Sequence, residues 1–242
     1  MTSSSRSFAV WLAILAANVA GVGGLALAVR DRPPTARRAE VVRGDVRAEF
    51  DPESGRLRRL TFDADGNGFA ESVAHMAGNR LLFIEADTDE DGTPDRWDHY
   101  APDRTLEKTG SSARGDGQAD TWIVRDAAGA VARVERSTAR NGIANRIEYY
   151  ERGRLVRSEN DTNADGRIDT WETYRLAPGA DPADPAAYAV ATAAFDFLGQ
   201  GRPSRRFVYG ADGRIVRVET DPDGRGAWIP AAPPKGGTPK RP

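Results

Sequence analysis

Asp161, Asn163, Asp165 and Asp169 stand at positions one, three, five and nine of a short segment whose sixth residue is Gly166. Short oxygen-bearing side chains on alternate residues of a tight turn converge on one point, and a hard divalent cation is what such a cage of oxygens binds. The carbonyl of Arg167 is expected to face inward at position seven, and Glu172 at position twelve stands where a bidentate carboxylate would close the cage. Residues 87–98 repeat the plan around Gly92, with Asp87, Asp89, Asp91, Thr93, Asp95 and Asp98. In both segments three or more acids crowd together against a single arginine, Arg167 in one and Arg96 in the other, an arrangement that repels itself unless an ion fills it. The alternative is a plain Asp-Gly hairpin turn, which tolerates positive φ and needs no metal.

These two segments belong to a series. Gly66, Gly92, Gly117, Gly142, Gly166, Gly201 and Gly224 are spaced 26, 25, 25, 24, 35 and 23 residues apart, and the long step contains a Pro/Ala-rich insert at residues 178–187. A fixed period near 25 residues indicates tandem structural repeats. Aligned on these glycines, the other copies are eroded. Phe69 takes the ninth position behind Asp63 and Asp65, Arg114 stands where an acid should precede Asp116 and Asp120, and no acid lies close before Asn141 and Asn145. Gln200-Gly201 has Asp196 alone, and Ala227 takes the ninth position behind Glu219, Asp221 and Asp223.

Runs of four to six residues rich in aromatic and β-branched types lie between the loops, such as 121–124 (TWIV), 146–150 (RIEYY) and 214–218 (RIVRV). Turn residues bound each run and no window holds a 3.6-residue period, so the runs read as strands. The fold expected is all-β: tandem antiparallel hairpins forming a meander or rolled sheet over residues 50–229. Trp97, Trp122, Ile147 and Trp171 each follow a loop glycine by five residues and are expected to stack on one buried face. If a strand starts near Thr170, Trp171 and Glu172 point to opposite faces, which leaves Asp169 to close the cage and makes Glu172 optional.

Asp161 to Glu172 resembles an EF-hand calcium loop at every ligand position, over 12 of 242 residues. Its flanks read as strands, not helices, so the setting is more similar to calcium loops between strands in integrin-type propeller repeats and in acidic-loop repeats of bacterial surface proteins. The resemblance implies calcium as the cation.

The formal charge of −2 indicates no nucleic-acid partner, and the absence of cysteine removes disulfides, thiolate metal sites and cysteine nucleophiles. With two histidines and no nucleophile, phosphate-loop or dinucleotide motif, the chain reads as a non-enzyme; a carboxylate-pair glycosidase is the one reaction class left open. Residues 8–29 form an apolar run long enough to span a bilayer as a helix, followed by Arg30 and Arg32. It is expected to direct export, either as a signal peptide cut after Ala28 or as an uncleaved membrane anchor, placing the protein in the periplasm, on the cell surface or outside. Residues 30–49 read as a linker and the proline-rich residues 230–242 as a disordered tail. The function expected is that of an exported, calcium-binding β-repeat protein with a structural or adhesive role; the alternative is a metal-free scaffold that binds a protein or glycan through its sheet.

Overall fold

Alternation of apolar and polar residues, broken every few positions by a glycine that can take positive φ, leaves the backbone little choice but short antiparallel strands. The computed structural model describes residues 40–182 and 184–231. The expected export segment and most of the tail lie outside them. Among the described residues no helix is long and apolar enough to cross a membrane, which says nothing of strands.

The chain divides into two compact units, the first ending at Gly92 and the second beginning at Thr93, with residues 102–104 grouped with the first. The first holds β1 (Glu40–Arg43), β2 (Val46–Phe50), β3 (Leu57–Phe62), β4 (Ser72–Ala77) and β5 (Arg80–Ala86). The second holds β6 (Arg96–Tyr100), β7 (Leu106–Ser111), β8 (Thr121–Arg125), β9 (Val131–Arg136), β10 (Arg146–Glu151) and β11 (Arg154–Asn160), then β12 (Thr170–Leu176), β13 (Tyr188–Phe195), β14 (Arg205–Tyr209), β15 (Ile215–Thr220) and β16 (Ile229–Pro230). Within each unit every strand pairs antiparallel with its chain neighbours, giving the expected meander. Residues 40–49, expected as linker, instead carry β1 and most of β2. The 178–187 insert is an excursion from the β12–β13 turn, closed by a 3-10 turn at Pro185–Ala187 whose Asp184 accepts from the Ala186 amide at 2.9 Å.

Seven hairpins share one irregularity. Where Tyr149 faces Arg157 and Tyr150 faces Leu155, Val156 is extra; the same slip recurs in β2–β3, β4–β5, β6–β7, β8–β9, β12–β13 and β14–β15. A bulge sharpens the right-handed twist, so one bulge per hairpin coils each unit's sheet in the same sense at every step.

In the first unit Ala48, Leu60, Ala74 and Ile84 are cross-strand neighbours and all are buried, with Leu57, Met76 and Leu81 beside them. In the second unit Trp97, Trp122, Ile147 and Trp171 share one register row, as expected, but each is only half-buried. The neighbouring row on the other face holds more buried residues, Asp98, Val134, Glu148, Ser158 and Ala193, while the tryptophan row is buried at Ala194 and Glu219. Short side chains and hydrogen-bonded polar ones fill that row of Asp98 and Ser158. Ser158, at 0% exposure, donates to Glu172 Oε2 at 2.8 Å, and Tyr174 donates to the same oxygen at 2.6 Å. Arg146 completes the network, donating from Nε to Glu148 at 2.8 Å and from Nη1 to Asn160 at 2.8 Å.

Candidate cation-binding loops

The loops that join hairpin to hairpin are nine residues long and built alike. The first side chain turns back to accept amides at the fifth and sixth positions. Asp161 takes Asp165 N at 3.2 Å and Gly166 N at 2.8 Å, and Asp87 takes Asp91 N at 3.2 Å and Gly92 N at 2.7 Å. Asp221 takes Arg225 N at 3.2 Å and Gly226 N at 2.8 Å. The ninth side chain accepts the second amide: Asp169 from Thr162 at 3.0 Å, Asp120 from Ala113 at 2.7 Å, Asn145 from Thr138 at 2.7 Å and Glu71 from Ala64 at 2.9 Å. The last loop has Pro222 at its second position, with no amide to donate, and Ile229 at its ninth, with no acceptor to offer. Positions four and six are left-handed throughout, as at Ala164 (φ 58°) and Gly166 (φ 85°).

This geometry corrects the sequence register at both ends of the array. Asp63 accepts Gly68 N at 3.1 Å, so Gly68 is the sixth residue of the first loop and Gly66 (φ 72°) its fourth. The loop then reads Asp63, Asp65, Asn67, Gly68 and, at the ninth position, Glu71 in place of Phe69. Likewise Gly226 is sixth and Gly224 fourth in the last loop, and Glu219 is not a loop residue but sits on β15 between Arg206 and Arg217. The corrected glycine spacings are 24, 25, 25, 24, 35 and 25 residues. The signal available in the sequence was the acid eight residues after Asp63, at the ninth position, which only the Asn67-Gly68 alignment reveals.

Two loops gather carboxylates. One oxygen from each of Asp63, Asp65 and Glu71 lies within 4.8 Å of the others, and the same holds for Asp87, Asp89 and Asp91. Asp87 is buried while Asp89 and Asp91 are exposed. The remaining expected ligands of residues 87–98 belong to the second unit. There Asp95 accepts the Ser112 amide through its carbonyl at 2.8 Å, and the side chain of Thr93 packs toward Gly117. Asp98 is on β6, buried, with its carboxylate held by Arg96 Nε at 3.0 Å and Thr109 Oγ1 at 2.8 Å.

In the 161–169 loop the carboxylates of Asp161, Asp165 and Asp169 do not form such a cluster among the described residues. Asp165 accepts Arg167 N at 2.9 Å, Asn163 Oδ1 accepts Asp165 N at 2.9 Å, and Asp169 is turned to the hydroxyls of Thr162 and Thr170, each at 2.8 Å. Burial pushes the Asp169 carboxyl up, but these hydroxyls and the Thr162 amide outweigh it and hold the pKa below its ordinary value. β12 starts at Thr170, so Glu172 is a strand residue, bonded to Ser158 and Tyr174 on the sheet. A carboxylate presents about four lone-pair positions, so the amide bonds of Asp161, Asp87 and Asp63 leave others open to a cation.

Within the second unit, successive loops touch. A Cβ at Gly142 would stand 3.1 Å from Gln118 Oε1, one at Gly117 would meet Thr93 Cγ2 at 3.4 Å, and one at Gly224 would coincide with the Arg202 guanidinium. Position four therefore gives two opposite predictions. A left-handed L-residue costs roughly 1–2 kcal/mol and glycine loses about 0.5–1 kcal/mol of that advantage to entropy, so Ala164→Gly should stabilise the protein by up to about 1 kcal/mol. Gly224→Ala should destabilise it by at least as much, since Arg202 must also move. Urea unfolding of the two variants checks the pair, and equal signs would refute the shared loop plan.

No protein-family model matches the chain, and no curated protein matches it. Among solved structures it is similar to TarM (10% identity, TM-score 0.35, 42% of this chain and 20% of that one). It is also similar to the GtfA/B complex (14% identity, TM-score 0.27, 52% and 22%) and to a porin-like protein from Bacteroides uniformis (14% identity, TM-score 0.25, 81% and 95%). The chain spans about a fifth of the length of the TarM and GtfA/B chains it matches. At these TM-scores the likenesses carry no functional argument.

Proposed function

We propose that this chain is an exported β-repeat protein whose acidic loops take calcium and whose sheets serve a structural or adhesive role. The observation that carries the reading is the convergence of Asp63, Asp65 and Glu71, and of Asp87, Asp89 and Asp91, on points at the mouths of loops already closed by their own amides. At the third position the turn itself requires only an oxygen acceptor: Asp65 accepts the Asn67 amide at 3.0 Å, and in the 161–169 loop the neutral Asn163 makes the same bond to Asp165 N at 2.9 Å. The negative charge of Asp65 and Asp89 beside a first-position acid is therefore repulsive unless a cation is bound. The 161–169 loop joins the set when its Asn163 and Asp165 oxygens turn inward with Asp169.

The competing reading is a scaffold whose loops need no metal. Ser112 and Ser137 at first positions favour it for their own loops, since Ser137 Oγ accepts Asn141 N at 3.1 Å and closes the turn without an acid. Equilibrium dialysis against calcium at roughly 10⁻⁴–10⁻³ M, the range of extracellular modules, separates the two. Bound calcium that falls in Asp65→Asn and Asp89→Asn supports the first reading, and calcium content indistinguishable from buffer supports the second.

A further inference from the structure

In the second unit, three of the five strands that close a hairpin, β9, β11 and β15, carry a basic residue with an acid two positions on, and the two pair along the strand. Arg133 meets Glu135 at 2.6 Å, Arg157 meets Glu159 at 2.7 Å and Arg217 meets Glu219 at 2.5 Å. β7 departs from this plan. Lys108 keeps the cation, but Gly110 stands where the acid should be, and among the described residues Lys108 makes no ion pair. On β13 the corresponding residues, Thr192 and Ala194, lack both charges, so Lys108 is a cation left over, not a pair deleted.

What fills the gap is aromatic. Trp122, opposite Gly110 in register, lies flat over it, so that a Cβ there would stand 2.7 Å from the ring. The Lys108 ammonium sits 4.3 Å from the centroid of the same ring, Trp97 is 6.4 Å away at a 41° tilt, and His99 meets Trp122 edge-on at 5.5 Å. All four side chains are half-buried on one face of β6–β8. Burial and the Lys108 charge hold the His99 pKa below its ordinary value against the opposing pull of Glu107 and Asp98, so at neutral pH the ring is an uncharged donor and acceptor.

We propose that Trp97, His99, Lys108 and Trp122 form a binding platform for an acidic carbohydrate chain, with sugar faces on the indoles and a uronate carboxylate on Lys108. Indole faces take up apolar ring surface while leaving polar rims wet, and the unpaired ammonium supplies the charge complement for a carboxylate. A peptide is less well served. Extended peptides are recognised chiefly by backbone pairing at a free sheet edge, and here β6, β7 and β8 lie side by side with β7 paired on both edges. The platform uses none of the loop carboxylates, so it stands or falls separately from calcium binding.

The test is a titration of the full chain, in EDTA, with oligogalacturonides followed by tryptophan fluorescence and calorimetry. Methyl-esterified oligomers of the same length and poly-glutamate serve as comparisons. The acid oligomers should bind, binding should weaken with added salt, and both esterification and Lys108→Gln should reduce affinity about tenfold or more, as loss of a charged hydrogen bond does. Lys108→Arg should retain most of it. Trp122→Phe, which keeps a ring over Gly110, provides a folded variant with weakened binding should Trp122→Ala not fold. No binding of the acid oligomers at millimolar concentration, equal affinity for acid and ester, an unaffected Lys108→Gln, or tighter binding of poly-glutamate would each overturn the proposal. Because calcium is absent throughout, failure here leaves the loop reading untouched, and the reverse is equally true.

Discussion

Calcium at 10 mM should raise the melting temperature of the protein by roughly 5–10 °C. A ligand that binds only the native state at 100 times its dissociation constant adds about 2.7 kcal/mol, and a chain of this size gains roughly 2–4 °C per kcal/mol. The variants that matter are Asp65→Asn and Asp89→Asn, because a neutral oxygen at the third position closes the turn as Asn163 does, and only a cation requires the charge. Each should keep most of the calcium-free stability and lose part of the calcium shift, and the double variant should lose most of it. Asp161→Asn should behave differently: its carboxylate accepts two loop amides, so it should lose stability with or without calcium. Magnesium should be a poor substitute, since it demands near-octahedral geometry and gives up its water reluctantly. A melting curve unmoved by 10 mM calcium would refute the proposed function at its base.

The meander, the short strands and the period near 25 residues were legible because strand runs and glycine punctuation are local signals, set by backbone sterics at each residue. The loop register was half legible. Where one glycine marks the turn, as at Gly92 or Gly166, the register follows from it. Where glycines occupy both left-handed positions, the pair alone does not say which is fourth and which sixth, and at 66 and 68 and at 224 and 226 the Asp before the first glycine points to the wrong one. That ambiguity hid Glu71. The face assignment of the tryptophans was not legible at all. Size and hydrophobicity place an indole in a core by default, yet in the second unit the tryptophans are half-buried and Ser158, Glu148 and Ala193 are buried in the neighbouring row, on a sheet with a bulge in each of its hairpins. A bulge depends on cross-strand register and leaves little trace in composition.

The buried polar row predicts the other large effect. Arg146 touches Glu148, Asn160 and Tyr174 together, and it lies 3.8 Å from Glu172. Arg146→Met keeps the stem and removes the charge, leaving Glu148 with Tyr150 at 3.0 Å and a longer contact to Arg136 at 3.5 Å. Breaking one side of a fully buried pair costs about 3–5 kcal/mol; the Arg146 side chain is 29% exposed, so about 2–3 kcal/mol is expected at pH 7. The loss should depend on pH in a stated direction. Burial pushes the Glu148 carboxyl up, but hydrogen bonds from Arg146 and Tyr150 and the Arg136 charge bring it below its ordinary value. A depressed carboxylate contributes stability that is present above its unfolded pKa, near 4.3, and is lost as pH falls through the folded value. Without Arg146 the burial is opposed only by Tyr150 and the more distant Arg136, Glu148 takes up a proton more easily, and the variant should close much of its gap to the wild type between pH 5 and pH 3. Adding Glu148→Gln to Arg146→Met should recover stability at pH 7, because the stranded charge is then gone. Urea unfolding at the two pH values measures both effects. A deficit that is the same at pH 7 and pH 3, or a double variant no better than the single, would mean that Arg146 acts through packing of its stem and not through the carboxylate beside it.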